Sequence, residues 1–268
     1  MGNVYDYKGN VVLNEFMPAY YDENVKGIGH RGFSSIAPEN TLPSYILAKK
    51  RGFRYVETDV CLTSDGVPVL LHDNTIDRTS NGSGAIYNLT FAQVRQYDFG
   101  SWKSSEYAGT KIPTLEEYLE LCRSLMLYPY IEIKTVPFTQ QQVENVVELT
   151  HKYGLKGKTT FMSFNLEYLE YIKAVDETAR LGWPTWEPTA NDITTCKSLL
   201  TGKNEVFCDP PATTVTDEIC DMFREENIPL EVWTIDSEDA VLALNPYISA
   251  VTSNTLHAGR VLYENALL

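Results

Sequence analysis

Gly29-His30-Arg31-Gly32 sets an imidazole that titrates near neutrality beside a permanent cation whose forked donors match phosphate oxygens. A loop histidine next to a surface arginine would read the same way, so this fragment alone leaves two readings open. Tyr55-Val56-Glu57-Thr58-Asp59-Val60 reads as a strand, and residues two apart in a strand project to one side. Glu57 and Asp59 therefore share a face of an otherwise apolar segment. Burying unpaired carboxylates is costly, so the pair needs a basic side chain or a metal, unless the strand lies at an edge with its charges in water. All-oxygen ligation suits Mg²⁺ or Ca²⁺ rather than zinc.

Two more segments carry the same logic. Val67-Pro68-Val69-Leu70-Leu71-His72-Asp73 ends an apolar strand on a second histidine and an acid, and a carboxylate bonded to one ring nitrogen would fix the tautomer and stabilise the imidazolium. In Tyr130-Ile131-Glu132-Ile133-Lys134, Glu132 and Lys134 share one face, offering a third carboxylate for a metal and an ammonium for a phosphate oxygen. Taken singly this is an ion pair along a strand; with the other three segments it points to a site. His151 and His257 have no such company and are expected at the surface. Asp236-Ser237-Glu238-Asp239 is expected to start a helix, because its spacing lacks the ligand ladder of a calcium loop.

The elements that must position these groups alternate short apolar runs with longer amphipathic stretches, the pattern of βα units around a parallel sheet. Candidate strands fall at 27–30, 55–60, 68–72, 130–134, 159–163, 180–183, 205–208, 231–235 and 250–252. That is one more than a closed eightfold barrel needs; 180–183 and the pair at 55 and 68 are the weakest, the last two being joined by a link too short for a helix. Helical patterns follow start signals at 42–51, 115–125 and 140–153. A single α/β domain of this length fits an open sheet as well as a (β/α)₈ TIM barrel, whose usual size is about 250 residues; what favours the barrel is that the unusual polar residues sit at the C-terminal ends of several strands, the face where barrels build their sites. Such a barrel is expected over 26–268. Residues 1–25 are expected to form an extension, with a hairpin pattern around Gly9-Asn10, and the glycine- and aromatic-rich stretch 74–111 a small inserted cap.

Composition limits the partners. The 268 residues are 43% hydrophobic and 22% charged, enough for one substantial core. With 36 acidic residues against 22 Lys plus Arg the formal net charge is -14, which repels nucleic-acid backbones and anionic headgroups. A phosphate-bearing small-molecule substrate would need local cations to overcome that field. Five cysteines without a C-x-x-C pair read as free thiols, mostly in the core. No apolar run approaches the roughly 18 residues of a membrane span, so a soluble chain is expected, cytoplasmic, or exported if a signal has been removed.

The blocks Gly29-His30-Arg31-Gly32, Pro38-Glu39-Asn40-Thr41, Glu57-Thr58-Asp59-Val60, Leu71-His72-Asp73, 77–84, 112–117, Glu132-Ile133-Lys134, Ser163-Phe164 and Val232-Trp233-Thr234-Ile235 strongly resemble, in order and over about 26 to 254, the glycerophosphodiester phosphodiesterase family. The resemblance implies a (β/α)₈ barrel with a divalent metal at its mouth. It implies Glu57, Asp59 and Glu132 as metal ligands and His30 and His72 as the acid/base pair. Arg31 and Lys134 would hold phosphate oxygens, Trp233 would wall the glycerol pocket, and Glu39 matches an acidic position near the metal. The implied reaction is metal-dependent hydrolysis of glycerophosphodiesters to glycerol 3-phosphate and an alcohol. A rival substrate on the same barrel is a lysophospholipid or sphingolipid, its acyl chain covered by Tyr87, Phe91, Tyr97, Phe99, Trp102 and Tyr107, unless these simply pack the insertion. A silent binding module is a further alternative, disfavoured because both histidines and all three carboxylates are intact. One departure stands out: where the family usually carries Thr-Asp-x-Pro, this chain reads Thr252-Ser253-Asn254-Thr255-Leu256, which bears on the last βα loop and on substrate choice.

Overall fold

The structure, a computed structural model, describes residues 25–135 and 137–266. The hairpin pattern at 4–13 lies outside the described residues. The alternating pattern resolves into β1 (Lys26–Gly29), α1 (Leu42–Lys50), β2 (Tyr55–Leu62), β3 (Pro68–Leu70), α2 (Phe91–Val94), α3 (Leu115–Leu125), β4 (Tyr128–Ile133), α4 (Gln140–Lys152) and β5 (Thr160–Met162). There follow α5 (Leu166–Val175), β6 (Arg180–Pro184), α6 (Ala190–Leu199), β7 (Val206–Asp209), α7 (Asp217–Glu225), β8 (Leu230–Trp233), α8 (Glu238–Leu242), β9 (Ile248–Ser253) and α9 (Ala258–Ala266).

Closure comes from β1, which pairs in parallel with β2 on one side and β9 on the other. The ring is therefore a closed eight-stranded parallel TIM barrel of β1, β2 and β4 to β9. The surplus strand is β3, which folds back antiparallel on β2 because its link is too short for a crossover helix. The weak candidate at 180–183 is a barrel strand, in register between β5 and β7.

The helices follow from local chemistry. Thr114 caps α3 and Glu117 answers it, each bonding the other's backbone N–H. On α4 the buried residues Val143, Val146, Val147 and Thr150 recur at helical spacing and form the face that packs on the barrel. Inside the ring, Ile28, Tyr130, Met162, Phe207 and Ala250 make a separate apolar plug. All five cysteines are free and buried, as the sequence predicts. Among the described residues no helix is long and apolar enough to cross a membrane.

His257 corrects one expectation. It is buried rather than at the surface, with its ring centroid 4.9 Å from that of Phe53. Gly27 of β1 makes room for it, since a Cβ there would lie 2.5 Å from His257 Nδ1. Burial pushes the imidazole down to about 4, so it packs as a neutral ring. A lone histidine in a helix-start segment carries no mark of which face it will turn.

At the N-terminal ends of the strands, Arg180 reaches across the barrel to Glu231, with Nη2 2.7 Å from Oε1, while Lys26 Nζ stands 3.4 Å from the same oxygen. The guanidinium also lies 4.2 Å from the Phe207 ring centroid. Removing one partner of a buried pair leaves the other uncompensated. Arg180→Met is therefore expected to lower the unfolding free energy by about 3 kcal/mol, Lys26 softening the loss. Urea unfolding followed by circular dichroism checks this, and an unchanged midpoint would show that the network contributes nothing.

The stretch 74–111 departs between β3 and α3 and carries α2 with two single-turn 3₁₀ segments. Its aromatics divide: Phe99 is buried and a Cβ on Gly82 would strike the Tyr97 ring, whereas Tyr87 and Trp102 are exposed.

Candidate active site

Strand periodicity and barrel closure together bring the polar residues to one end of the ring. His30 follows β1, Glu57 and Asp59 lie on β2, His72 follows β3, and Glu132 lies on β4 with Lys134 just beyond it. Asp59 and Glu132 are register partners in adjacent strands. Glu57 and Asp59 point inward together, as their spacing requires, at 4% and 1% exposure. Ligand oxygens of Glu57, Asp59 and Glu132 all lie within 4.8 Å of one another. His30, Arg31, Glu57, His72, Glu132, Lys134 and Trp233 line one cavity of about 450 Å³.

The charges are tightly interlocked. Lys134 Nζ lies 2.8 Å from Glu132 and 3.3 Å from Asp59, while Arg31 donates through Nη1 to Glu39 at 2.8 Å and its Nε stands 3.2 Å from Asp59 Oδ2. That Nε–H is buried and aimed at no acceptor. Glu39 lies outside the trio, its two oxygens bonded by Arg78 and Arg31. Arg78 also donates to Asp73, tying the loop after β3 to the one after β1.

These surroundings split the carboxylates. Burial, with Asp59 beside it, raises Glu57 well above the usual carboxylate range. Asp59 is equally buried, but Arg31 and Lys134 outweigh that and hold it far below. Burial and Asp59 push Glu132 up, against the pull of Lys134. Five carboxylates, Glu39, Glu57, Asp59, Asp73 and Glu132, thus meet three fixed cations, Arg31, Arg78 and Lys134. A surplus of negative charge on a close, all-oxygen, inward-facing donor set fits a hard divalent cation.

Each histidine is held from behind. His72 Nδ1 is 2.7 Å from Asp73 Oδ1, and His30 Nδ1 is 2.8 Å from Asn254 Oδ1. Burial, with Arg31 adjacent, pushes His30 down to about 4. His30 Nε2 stands 4.0 Å from Glu57 Oε2.

Some residues of the site escape sequence reasoning. Asn40, with left-handed φ 54, donates to Asp59 Oδ2 at 2.8 Å and accepts from the Asp59 N–H, so it orients that carboxylate. Across the cavity Trp233, named from the resemblance, is joined by Phe164 and Trp186 in an aromatic shelf. Phe164 and Trp186 stack at 5.6 Å and Trp186 meets Trp233 edge to face at 5.2 Å. Trp186 is 65% exposed and follows the weak candidate strand, where no motif marks it. Asp209, at the end of β7, also lines the cavity, its carboxyl raised by burial and by Glu231 and Glu132. Tyr87, Phe91, Tyr97, Phe99, Trp102 and Tyr107 do not line this cavity.

Comparison with known proteins bears directly on this geometry. The profile of the glycerophosphoryl diester phosphodiesterase family matches residues 30–254. The chain belongs to this family. Glycerophosphodiester phosphodiesterase 1 of Mus musculus is 45% identical over 114 residues, covering 42% of this chain and 34% of that protein. A glycerophosphodiester phosphodiesterase of Caldanaerobacter subterraneus subsp. tengcongensis is 33% identical over 156 residues, 58% of this chain and 64% of that one. The matched part of the chain thus spans about a third of the mouse relative's length and under two thirds of the bacterial one's. Among solved structures, a phosphodiesterase of Oleispira antarctica in complex with the product sn-glycerol-3-phosphate superposes with a TM-score of 0.74 at 28% identity, covering 90% of this chain and 96% of that one. For a family of diester hydrolases, a cavity with two imidazoles facing an acidic trio is chemically apt.

Proposed function

We propose that the protein hydrolyses glycerophosphodiesters to glycerol 3-phosphate and an alcohol, with His30 and His72 as the proton-transfer pair and Glu57, Asp59 and Glu132 holding a divalent cation. The observation that carries this reading is the convergence, from four separate stretches of chain, of His30, His72, Glu57 and Glu132 on one cavity, with an Asp59 oxygen within 4.8 Å of the other two carboxylates. Family membership supports it, as does the product held by the Oleispira relative.

A diester monoanion repels nucleophiles, so its nonbridging oxygens need positive charge around them. Bound by the trio, a Mg²⁺ or Ca²⁺ supplies Lewis-acid neutralisation of that charge. Lys134 and Arg31 lie next to the same carboxylates and offer further donors to the phosphate, the buried Arg31 Nε–H among them. One imidazole takes the proton from the attacking hydroxyl, that of water or of the substrate's own glycerol, as the new O–P bond forms. The other gives a proton to the departing alcohol oxygen as its P–O bond breaks. Where the glycerol hydroxyl attacks, the product of this step is a cyclic phosphate, which water then opens to glycerol 3-phosphate, one imidazole taking the water's proton and the other protonating the ring oxygen that leaves phosphorus. Asp73 holds the His72 ring in place, its Oδ1 2.7 Å from Nδ1. The local cations answer the chain's acidic surface, whose net charge of -14 would otherwise repel the substrate.

The deciding experiment incubates a panel of glycerophosphodiesters with the protein in Mg²⁺, Ca²⁺ or Mn²⁺ and measures glycerol 3-phosphate. No release with any pair sinks the reading, and binding without turnover would support a silent module.

The shelf gives the organic part of the substrate its place, glycerol against Trp233 and the alcohol toward exposed Trp186. A quaternary ammonium held against an aromatic face is worth about 0.5–2 kcal/mol. Trp186→Ala is accordingly expected to raise KM for glycerophosphocholine about fivefold while kcat stays nearly constant. The same comparison with lysophosphatidylcholine, read as choline release, separates the two substrate classes. A lysolipid preferred by wild type and lost in the variant would move the assignment to a lysophospholipase D.

A further inference from the structure

The side chain behind His30 is the amide of Asn254 and not a carboxylate. His30 and Asn254 are brought together by barrel closure: His30 N donates to Ser253 O at 2.8 Å, and Ser35 N to Asn254 O at 3.1 Å. The loop after β1 is thereby stitched to the loop after β9. Asn254 Oδ1 then faces His30 Nδ1 at 2.8 Å and also accepts from Ser34 Oγ at 2.8 Å.

An amide can turn either end toward a ring nitrogen, so by itself Asn254 would not choose a tautomer. Asp236 removes the ambiguity. Its Oδ2 lies 2.7 Å from Asn254 Nδ2, and its Oδ1 accepts from Asn254 N at 2.7 Å and Ser253 Oγ at 2.8 Å. An ionised carboxylate only accepts, so the NH₂ end of Asn254 must face Asp236 and the carbonyl end must face His30. A carbonyl oxygen likewise only accepts, so His30 Nδ1 must carry the hydrogen. The lone pair of the neutral ring is then on Nε2, which lies toward Glu57 and the cavity.

We infer that Asn254 and Asp236 form a positioning pair that fixes the tautomer of His30, the carboxylate acting on the ring through the amide it orients. This rests on the phosphodiesterase reading only where turnover is measured; the tautomer is readable without it.

The test has two arms. Long-range ¹H–¹⁵N spectra of ¹⁵N-histidine-labelled protein, with His30 assigned against His30→Ala, should show a single Nδ1–H tautomer in the wild type and a tautomer mixture in Asp236→Asn. Glycerophosphocholine turnover should then fall in kcat about tenfold in Asp236→Asn, and about a hundredfold in Asn254→Leu, with KM within about twofold. Asn254→Asp sets two carboxylates against each other and should also lose activity. The double variant D236N/N254D restores one carboxylate and one amide in reversed order, and should recover kcat to within about threefold of wild type. Circular dichroism establishes that each variant is folded. An Nε2–H tautomer in the wild type, single variants with unchanged kcat and tautomer, or a double variant no better than the singles would each overturn the inference. A wild type without turnover would instead refute the phosphodiesterase reading, leaving the spectra to decide the tautomer.

Discussion

His30→Ala and His72→Ala should each lower kcat for a glycerophosphodiester by about 10²–10⁴-fold, the range for loss of one positioned proton-transfer group. The two rings differ in setting, which makes the pair informative. The His72 side chain is 35% exposed and rests on Asp73, so its removal opens little of the core and the protein should stay folded. The His30 side chain is 18% exposed and ties the first and last barrel loops together through Asn254. His30→Ala should therefore show a small loss of thermal stability alongside the loss of rate. Initial rates at saturating metal, with circular dichroism on each variant, decide the matter. Wild-type kcat in either variant would remove that histidine from the chemistry.

Chelation should silence the enzyme, with activity returning when a divalent cation is restored. The same ion should stabilise the fold, since a ligand at a hundred times its Kd adds about 2.7 kcal/mol. The physical cause is the surplus of carboxylates over Arg31, Lys134 and Arg78 in a buried site, where burial first and Asp59 second raise Glu57 well above its ordinary range. Glu57→Gln and Glu132→Gln keep side-chain shape but each remove a charged ligand, so both should lose the metal-dependent rise in Tm and at least about 10² in kcat. Asp59 is a poorer probe because Asn40, Arg31 and Lys134 all lean on it, and its removal would disturb the fold as well as the metal. Full activity in EDTA, or a Tm rise that survives in Glu57→Gln, would refute the assignment of the trio.

Much of this site was readable before any fold was known. Strand periodicity put Glu57 beside Asp59 and Glu132 beside Lys134, because facing is a property of a strand's own backbone and needs no neighbour. The link between β2 and β3 was too short for a crossover, which already marked one strand as surplus to the ring. The aromatics of 74–111 left two readings open, since composition says nothing of the direction in which a ring points, and in the structure they do not line the cavity. The shelf came from Phe164, Trp186 and Trp233, single residues at the ends of three different strands.

Residue chemistry and spacing along the chain were thus sufficient for the alternating α/β pattern and for the inventory of acids, imidazoles and cations, because those depend on contacts a few residues apart. Which partners they meet required the closed ring. His30 reaches Asn254 across 224 residues of chain and Arg180 reaches Glu231 across 51. No local preference specifies such pairs; they exist because packing the barrel core brings distant loops to one rim, where each buried charge must find its counterpart.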